Sequence, residues 1–264
     1  MFEWESAMHN KTKERAWEII NIYLKAVEAV KSIKSIILVG SLSDDTYTGN
    51  VGSDIDLVHI IYDRYDYEKE KKNIKDLISK VERETNNDIP ISQTIYSERH
   101  LLHPYNYNFD LSIDNKDLIE RPIEIFRMLD SGKLLYGEDI LSTLERPTMD
   151  DVQTSVELEQ KQLKLLAKEN SEWFSAYTEM RKRPTIRIMT QIVLTTALSD
   201  YYFCTGRSCS SKFKILELIE KEMPNLSYLN LLRLCHKNRF SPDEITEEDI
   251  NTMNREYKVV FLKD

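Results

Sequence analysis

Cysteine, glycine and long apolar runs are scarce in this sequence. Its 264 residues include three cysteines, Cys204, Cys209 and Cys235, an odd number without the spacing of a metal-binding motif. We therefore expect reduced thiols and exclude a disulfide-rich secreted scaffold. No run approaches the roughly 18 apolar residues of a membrane-spanning helix. The N-terminal MFEWESAMHNK has neither the basic start nor the apolar stretch of a signal peptide, so we expect a cytoplasmic protein without a membrane partner.

An excess of positive charge is also missing. The chain has 36 Lys and Arg residues against 45 Asp and Glu residues, a net charge of −9. This balance speaks against a protein that binds duplex nucleic acid, because such a protein needs a broad basic surface. It suits a small cationic substrate instead. With 41% hydrophobic and 31% charged residues, the composition is that of a globular protein with one large or two ordinary domains.

The first part of the chain alternates helical and strand patterns. Apolar residues recur at helical spacing over residues 3–32 and 68–84, and a further helix is predicted near residues 122–129. Strands are predicted over residues 35–39, 57–62 and 89–96. His59 lies inside the second of these apolar strands, where a core position is expected. The order helix, strand, strand, helix, strand predicts an α/β or α+β domain with a mixed sheet.

Beyond Arg146-Pro147 the pattern is helical almost throughout. Helices are predicted over residues 152–168, 173–182, 185–203 and 212–222, and Gly206 is a natural stop for the third of them. We therefore predict two domains, a mixed-sheet domain over residues 1–146 and an α-helical bundle over residues 147–264. Together they give an α+β fold class.

The stretch GSLSDDTYTGNVGSDID, residues 40–56, holds three of the six glycines and separates two apolar runs. Side chains two residues apart in a strand point to the same face, so Asp54 and Asp56 should project together. Two adjacent carboxylates repel each other unless a cation lies between them. Mg²⁺ prefers hard oxygen ligands and completes its shell with water and phosphate oxygens. The pair therefore predicts a metal site.

The turn that precedes the pair suits a phosphate. Gly40 allows the backbone to bend or to approach a ligand closely, and Ser41 offers a hydroxyl group. A helix beginning at about Leu42 would direct backbone N–H groups at a phosphate. The combination predicts a metal-bound nucleoside triphosphate and in-line attack on phosphorus.

These residues resemble the signature of the DNA polymerase β-like nucleotidyltransferase superfamily. The matching residues are LVGS at 38–41 and DIDL at 54–57, with twelve residues between them, and Ser53 completes the Ser-Asp-Ile-Asp form. The resemblance implies that residues 1–146 form a nucleotidyltransferase domain that binds Mg²⁺ and ATP. Gly40, Ser41 and Ser53 would then bind the nucleotide, and Asp54 and Asp56 would hold the metal.

Two later stretches are similar to aminoglycoside adenylyltransferases of the streptomycin/spectinomycin type. They are FRMLDSGKLLYGEDI at 126–140, with a helix, a turn and a Leu-Tyr-Gly strand, and VLTTALSDYYFCTGRSCSSK at 193–212. The second implies that Lys212 reaches the triphosphate, although an exposed lysine in a first helical turn explains it equally well. The arginine that this group places in the preceding helix has no counterpart, because its position falls at Leu198.

The third acid of the superfamily, a metal ligand or general base, has no clear counterpart. By position it should fall near residues 90–92, where the sequence has Pro-Ile-Ser. Asp88 and Asp110 are candidates, and each is also explained as a turn or surface aspartate. A general base contributes typically 10²- to 10⁴-fold, so its loss would slow turnover without abolishing it.

The function that the resemblance implies is transfer of a nucleoside monophosphate, AMP from Mg-ATP, to a hydroxyl group of a small molecule. The acceptor would be an aminoglycoside-like antibiotic, with Trp173 and Glu179 lining its cleft and antibiotic resistance as the outcome. Two alternatives stay open. One is a catalytically weak or inactive nucleotide-binding relative of the regulatory or antitoxin type, and the other is an enzyme that modifies a protein side chain or an RNA terminus.

Overall fold

A four-stranded mixed sheet lies at the centre of the first part of the chain. The computed structural model describes residues 11–49, 53–102, 122–153 and 182–261. Within them the strands are β1 (Ile33–Val39), β2 (Ile55–Ile61), β3 (Ile91–Ser97) and β4 (Lys133–Gly137), in the order β3-β2-β1-β4. Strand β1 is antiparallel to β2 and β4, and β2 is parallel to β3. The predicted mixed sheet is confirmed.

Helices cover both faces of this sheet. Helices α1 (Lys13–Val27) and α2 (Tyr67–Glu84) pack on one face, and α4 (Pro122–Ser131) packs on the other; the short α3 (Glu98–Leu102) follows β3 directly. The strands alternate accordingly. Ile36 and Leu38 of β1 belong to the core beneath α1 and α2, whereas Ile37 and Val39 belong to the core beneath α4. Successive side chains point to opposite faces, and both faces are covered by helices, so β1 and β2 are apolar at most positions.

Helix α1 is shorter than the sequence pattern predicts. The hydroxyl group of Thr12 accepts a hydrogen bond from the backbone N–H of Arg15 at 3.1 Å and caps the first turn. The helix ends at Val27, five residues before the predicted end, and β1 begins at Ile33. Val30 lies outside the helix and still packs against the core. Its apolar side chain explains why the pattern alone extends the helix too far.

Most of the described residues after Pro147 are helical. The helices are α5 (Lys182–Thr205), α6 (Ile215–Glu222), α7 (Leu229–Phe240) and α8 (Glu247–Phe261). The chain divides into two compact units, and Arg146 and Pro147 fall in different units. Gly206 has φ +69° and its N–H donates to the carbonyl of Tyr202 at 2.7 Å, so α5 stops there as expected.

Several sequence predictions concern residues that the structure describes only in part. Most of each of the helices predicted over residues 152–168 and 173–182 lies outside the described residues, as do residues 3–10 of the first predicted helix. All three cysteines are free thiols. Among the described helices, none combines the length and hydropathy that crossing a bilayer requires.

His59 is a core residue of the first unit, as expected. Its Nε2 atom lies 2.7 Å from the hydroxyl group of Tyr23 on α1, and both residues are fully buried. Burial disfavours the charged imidazolium and lowers the pKa of His59 from 6.5 to about 4.

The lowered pKa of His59 predicts acid sensitivity. Between pH 6.5 and 4 the unfolded chain binds a proton at this histidine that the folded chain does not, so the free energy of unfolding falls as pH falls. At pH 5 the expected loss is about 2 kcal/mol. Urea unfolding at pH 7.5 and pH 5 should show this loss in the wild type and not in His59→Gln, which cannot titrate. Equal pH dependence in the two proteins would contradict the assignment.

Candidate nucleotide site

The predicted aspartate pair lies where β1 ends and β2 begins. Asp54 precedes β2 and Asp56 lies within it, opposite Val39 of β1. Ile55 and Leu57 are buried against α1 and α2. The alternation of β2 therefore places both aspartates on the α4 face of the sheet, as the spacing predicts. Both remain partly exposed and accessible to a ligand.

Gly40 brings the turn after β1 into contact with Asp56. It has φ +77°, a conformation that glycine adopts without strain. A Cβ atom at this position would lie 2.1 Å from Oδ2 of Asp56 and 3.0 Å from Nη2 of Arg127. No side chain fits there without displacing the carboxylate. The Gly-Ser turn and the Asp-x-Asp strand thus form one site, although they are sixteen residues apart in the sequence.

The turn itself differs from the sequence prediction. The N–H groups of Ser43 and Asp44 both donate to the carbonyl of Gly40 at 3.0 Å, and the chain makes a single turn rather than the helix expected from Leu42. Asp45, with φ +63°, interrupts any continuation. The side chain of Asp44 accepts from the backbone N–H of Thr46 at 3.1 Å, which favours a turn over a helix. The predicted helix is therefore wrong.

Arg127 of α4 is a site residue that sequence reasoning missed. Its Nη2 lies 3.3 Å from Oδ2 of Asp56, and its Nη1 lies 2.6 Å from Oε2 of Glu124. Burial alone would lower the pKa of Arg127, but attraction to Glu124, Asp56 and Asp54 outweighs burial and raises it. The guanidinium group therefore stays charged beside the aspartates. The three-residue spacing of Glu124 and Arg127 on a helix was the available sequence signal.

Comparison with known proteins identifies this part of the chain. Residues 20–111 match the family model described as a nucleotidyltransferase domain. These residues form a nucleotidyltransferase domain. The superfamily resemblance read from LVGS and DIDL is thereby confirmed for this part of the chain.

The fold of the nucleotidyltransferase domain and the helices after it has a counterpart among solved structures. The chain is similar to the spectinomycin adenyltransferase AAD(9) from Enterococcus faecialis, solved with ATP and spectinomycin, with 17% identity over 92% of this chain and 99% of that chain and a TM-score of 0.54. At this identity the likeness is one of fold, and it confirms the α+β class. The toxin-antitoxin MntA-HepT also matches, with 14% identity over 62% of this chain and 97% of that chain, but with a TM-score of 0.26. No curated protein sequence matches the chain.

Strand β3 of the nucleotidyltransferase domain carries no acid opposite the aspartate pair. In the parallel pairing of β2 and β3, the partner of Asp56 is Ser92, whose side chain is exposed. Asp88 forms an ion pair with Arg15 of α1, with Oδ2 2.9 Å from Nη2. This ion pair explains Asp88 by a structural contact with α1, and its role as the third acid stays a prediction. Asp110 lies outside the described residues.

The remaining predicted residues fall into three groups. Ser53 is buried beside Asp54, and its carbonyl lies 3.5 Å from Nζ of Lys11. Lys212 precedes α6 in the second unit, where its contact with a triphosphate stays a prediction, and Leu198 is fully buried in α5. Trp173 and Glu179 lie outside the described residues.

The donor set fits one hard cation that shares its shell with a phosphate group. Within the described ranges, no group of three or more His, Cys, Asp and Glu side chains could enclose a metal. Asp54 and Asp56 supply two carboxylates, and the remaining positions of an Mg²⁺ octahedron are normally filled by water and phosphate oxygens. Because Gly40 has no Cβ, the carboxylate of Asp56 lies directly against the turn, which places a candidate metal ligand next to the candidate phosphate turn.

Proposed function

We propose that this protein transfers a nucleoside monophosphate, AMP from Mg-ATP, to a hydroxyl group of a small molecule and releases pyrophosphate. The observation that carries the proposal is the contact between Gly40 and Asp56. It brings a turn suited to phosphate against a carboxylate pair suited to a metal ion, within a nucleotidyltransferase domain.

Each residue of the site has a part in this reaction. Asp54 and Asp56 would hold Mg²⁺, which when bound neutralises charge on the phosphates. Gly40 lets the carboxylate of Asp56 lie against the turn, and the hydroxyl group of Ser41 would bind a phosphate oxygen. The acceptor hydroxyl gives up its proton to solvent water and attacks the α-phosphorus. A bond forms between its oxygen and the α-phosphorus, and the bond between the α-phosphorus and pyrophosphate breaks.

For the acceptor, we propose a cationic sugar-like molecule of the aminoglycoside class. The net charge of −9 favours a cationic ligand. The likeness in fold to a structure that contains ATP and spectinomycin supports the same pair of ligand classes here. The helical unit, with Lys212 near the triphosphate, is our proposed partner of the nucleotidyltransferase domain in holding them.

The proposal is tested by incubating the full chain with labelled ATP, Mg²⁺ and a panel of aminoglycosides that includes spectinomycin and streptomycin. We expect pyrophosphate release and a labelled acceptor with at least one member of the panel. If no member of the panel becomes labelled but ATP binds tightly in the presence of Mg²⁺, the second candidate is favoured. That candidate is a nucleotide-binding protein with little turnover. The exposed Ser92 opposite Asp56 is the observation that favours that candidate.

Placing an acid on β3 tests whether turnover is limited by the lack of a general base. In Ser92→Glu a carboxylate would stand opposite Asp56, where it can serve as a base for the acceptor hydroxyl. We expect a rise in pyrophosphate release of roughly 10- to 100-fold, at the lower end of the usual contribution of a base. The matched control is Ser97→Glu, which adds the same side chain at the far end of β3. Equal rates in the two variants would show that Ser92 does not occupy the position of a missing base.

A further inference from the structure

The guanidinium group of Arg127 joins two carboxylates that come from different elements. One end lies 3.3 Å from Oδ2 of Asp56 on β2, and the other lies 2.6 Å from Oε2 of Glu124, one turn earlier on α4. The side chain of Arg127 is only 15% exposed, so this bridge is shielded from solvent. Charge-assisted contacts of this kind are shorter and stronger than neutral hydrogen bonds and fix the orientation of a carboxylate.

Gly40 limits the movement of the same carboxylate from the other side. Its missing Cβ is the space that Oδ2 of Asp56 occupies, and Nη2 of Arg127 is the next nearest atom to that space. Oδ2 therefore lies between the backbone of the turn and the guanidinium group. The carboxylate of Asp56 is therefore held on its Oδ2 side by the turn and by the guanidinium group.

We propose that Arg127 is a positioning residue that holds the carboxylate of Asp56 for metal binding, and that Glu124 anchors Arg127 in that place. The inference rests on the proposed function, because it takes Asp56 to be a metal ligand. Side chains that orient a ligating carboxylate typically contribute 10- to 100-fold to metal affinity or activity. Arg127 would act on the nucleotide through Asp56, and Glu124 through Arg127.

The test measures how much Mg²⁺ the full chain needs for ATP binding. Calorimetric titrations with ATP at graded Mg²⁺ give the concentration at which binding is half-maximal. We expect Arg127→Gln to raise that concentration by roughly 10- to 100-fold. Arg127→Lys keeps the charge but cannot contact both carboxylates at once, so its half-maximal Mg²⁺ concentration should lie between those of the wild type and Arg127→Gln. Glu124→Gln should raise the half-maximal Mg²⁺ concentration several-fold.

The matched control is the ion pair between Asp130 of α4 and Arg146, which follows β4 in the chain. Nη2 of Arg146 lies 2.5 Å from Oδ1 of Asp130. Arg146→Gln therefore removes the arginine of another arginine–carboxylate pair on α4 and should leave the Mg²⁺ requirement unchanged. Thermal unfolding of each variant distinguishes a weakened site from a weakened fold. If Arg127→Gln does not fold, Arg127→Lys and Glu124→Gln decide the question.

The outcomes separate this inference from the function on which it rests. In one outcome, the wild type binds ATP only with Mg²⁺ while the folded Arg127 and Glu124 variants need no more Mg²⁺ than it does. That result would overturn the positioning role and leave the proposed function standing. A wild type without Mg-dependent binding would overturn the proposed function, and the positioning role with it.

Discussion

Replacing Asp54 and Asp56 together by asparagine is expected to reduce nucleotidyl transfer by at least about 10³-fold, because metal coordination contributes several kcal/mol of transition-state stabilisation. Asparagine keeps the size of the side chain and one oxygen, so α4 and β2 retain their packing. The two negative charges that would hold Mg²⁺ are lost. Pyrophosphate release with the best acceptor of the panel is the measurement.

The double variant needs a control with the same change of charge. Asp130 pairs with Arg146, and Asp139 accepts from the backbone N–H of Ser142 at 3.3 Å; both lie in the same unit as the site. Asp130→Asn combined with Asp139→Asn removes two carboxylates without touching Asp54 or Asp56. We expect near wild-type turnover from the control. Comparable losses in the two double variants would show that net charge, and not the metal site, is responsible.

Gly40→Ala is expected to reduce turnover by about 10²-fold, the usual effect of misplacing a reacting group by about 1 Å. The new Cβ would lie 2.1 Å from Oδ2 of Asp56, so the carboxylate or the turn must move. Alanine at φ +77° also carries a backbone penalty of roughly 1–2 kcal/mol. Both effects weaken the junction between the phosphate turn and the metal ligands.

Gly206 separates the two effects of this substitution. It has φ +69°, close to that of Gly40, but a Cβ there would have nothing within 4 Å. Gly206→Ala should therefore lower the free energy of unfolding by about 1–2 kcal/mol and leave Mg-dependent ATP binding intact. If Gly40→Ala binds ATP as well as Gly206→Ala does, the contact with Asp56 does not matter for the site.

The aspartate pair was predictable because its evidence is local. Alternation in a strand fixes the faces of Asp54, Ile55, Asp56 and Leu57 relative to one another without knowledge of the rest of the fold. The same holds for the Gly206 stop. The turn after Gly40 was mispredicted because Asp44 and Asp45 favour local bonding to the backbone and a positive φ, which compete with helix propagation.

Arg127 was missed because its contact with Asp56 spans 71 positions and depends on how α4 packs against the sheet. The FRMLDSGKLLYG stretch predicts a helix followed by a strand, but not which strand lies beneath the helix. The pairing of β2 with β3 also depends on the tertiary fold and could not be predicted from local patterns. Sequence alone gives an acid-free strand, and only the register shows that Ser92 is the partner of Asp56.

Calorimetric titration of the wild-type protein with ATP, once with Mg²⁺ and once with EDTA, tests the central claim most directly. The account predicts saturable binding of ATP with Mg²⁺ and its loss in EDTA, since the carboxylates of Asp54 and Asp56 repel a bare triphosphate. No binding under either condition, or binding of equal strength without a divalent cation, would contradict the claim that these aspartates hold a metal-bound nucleotide.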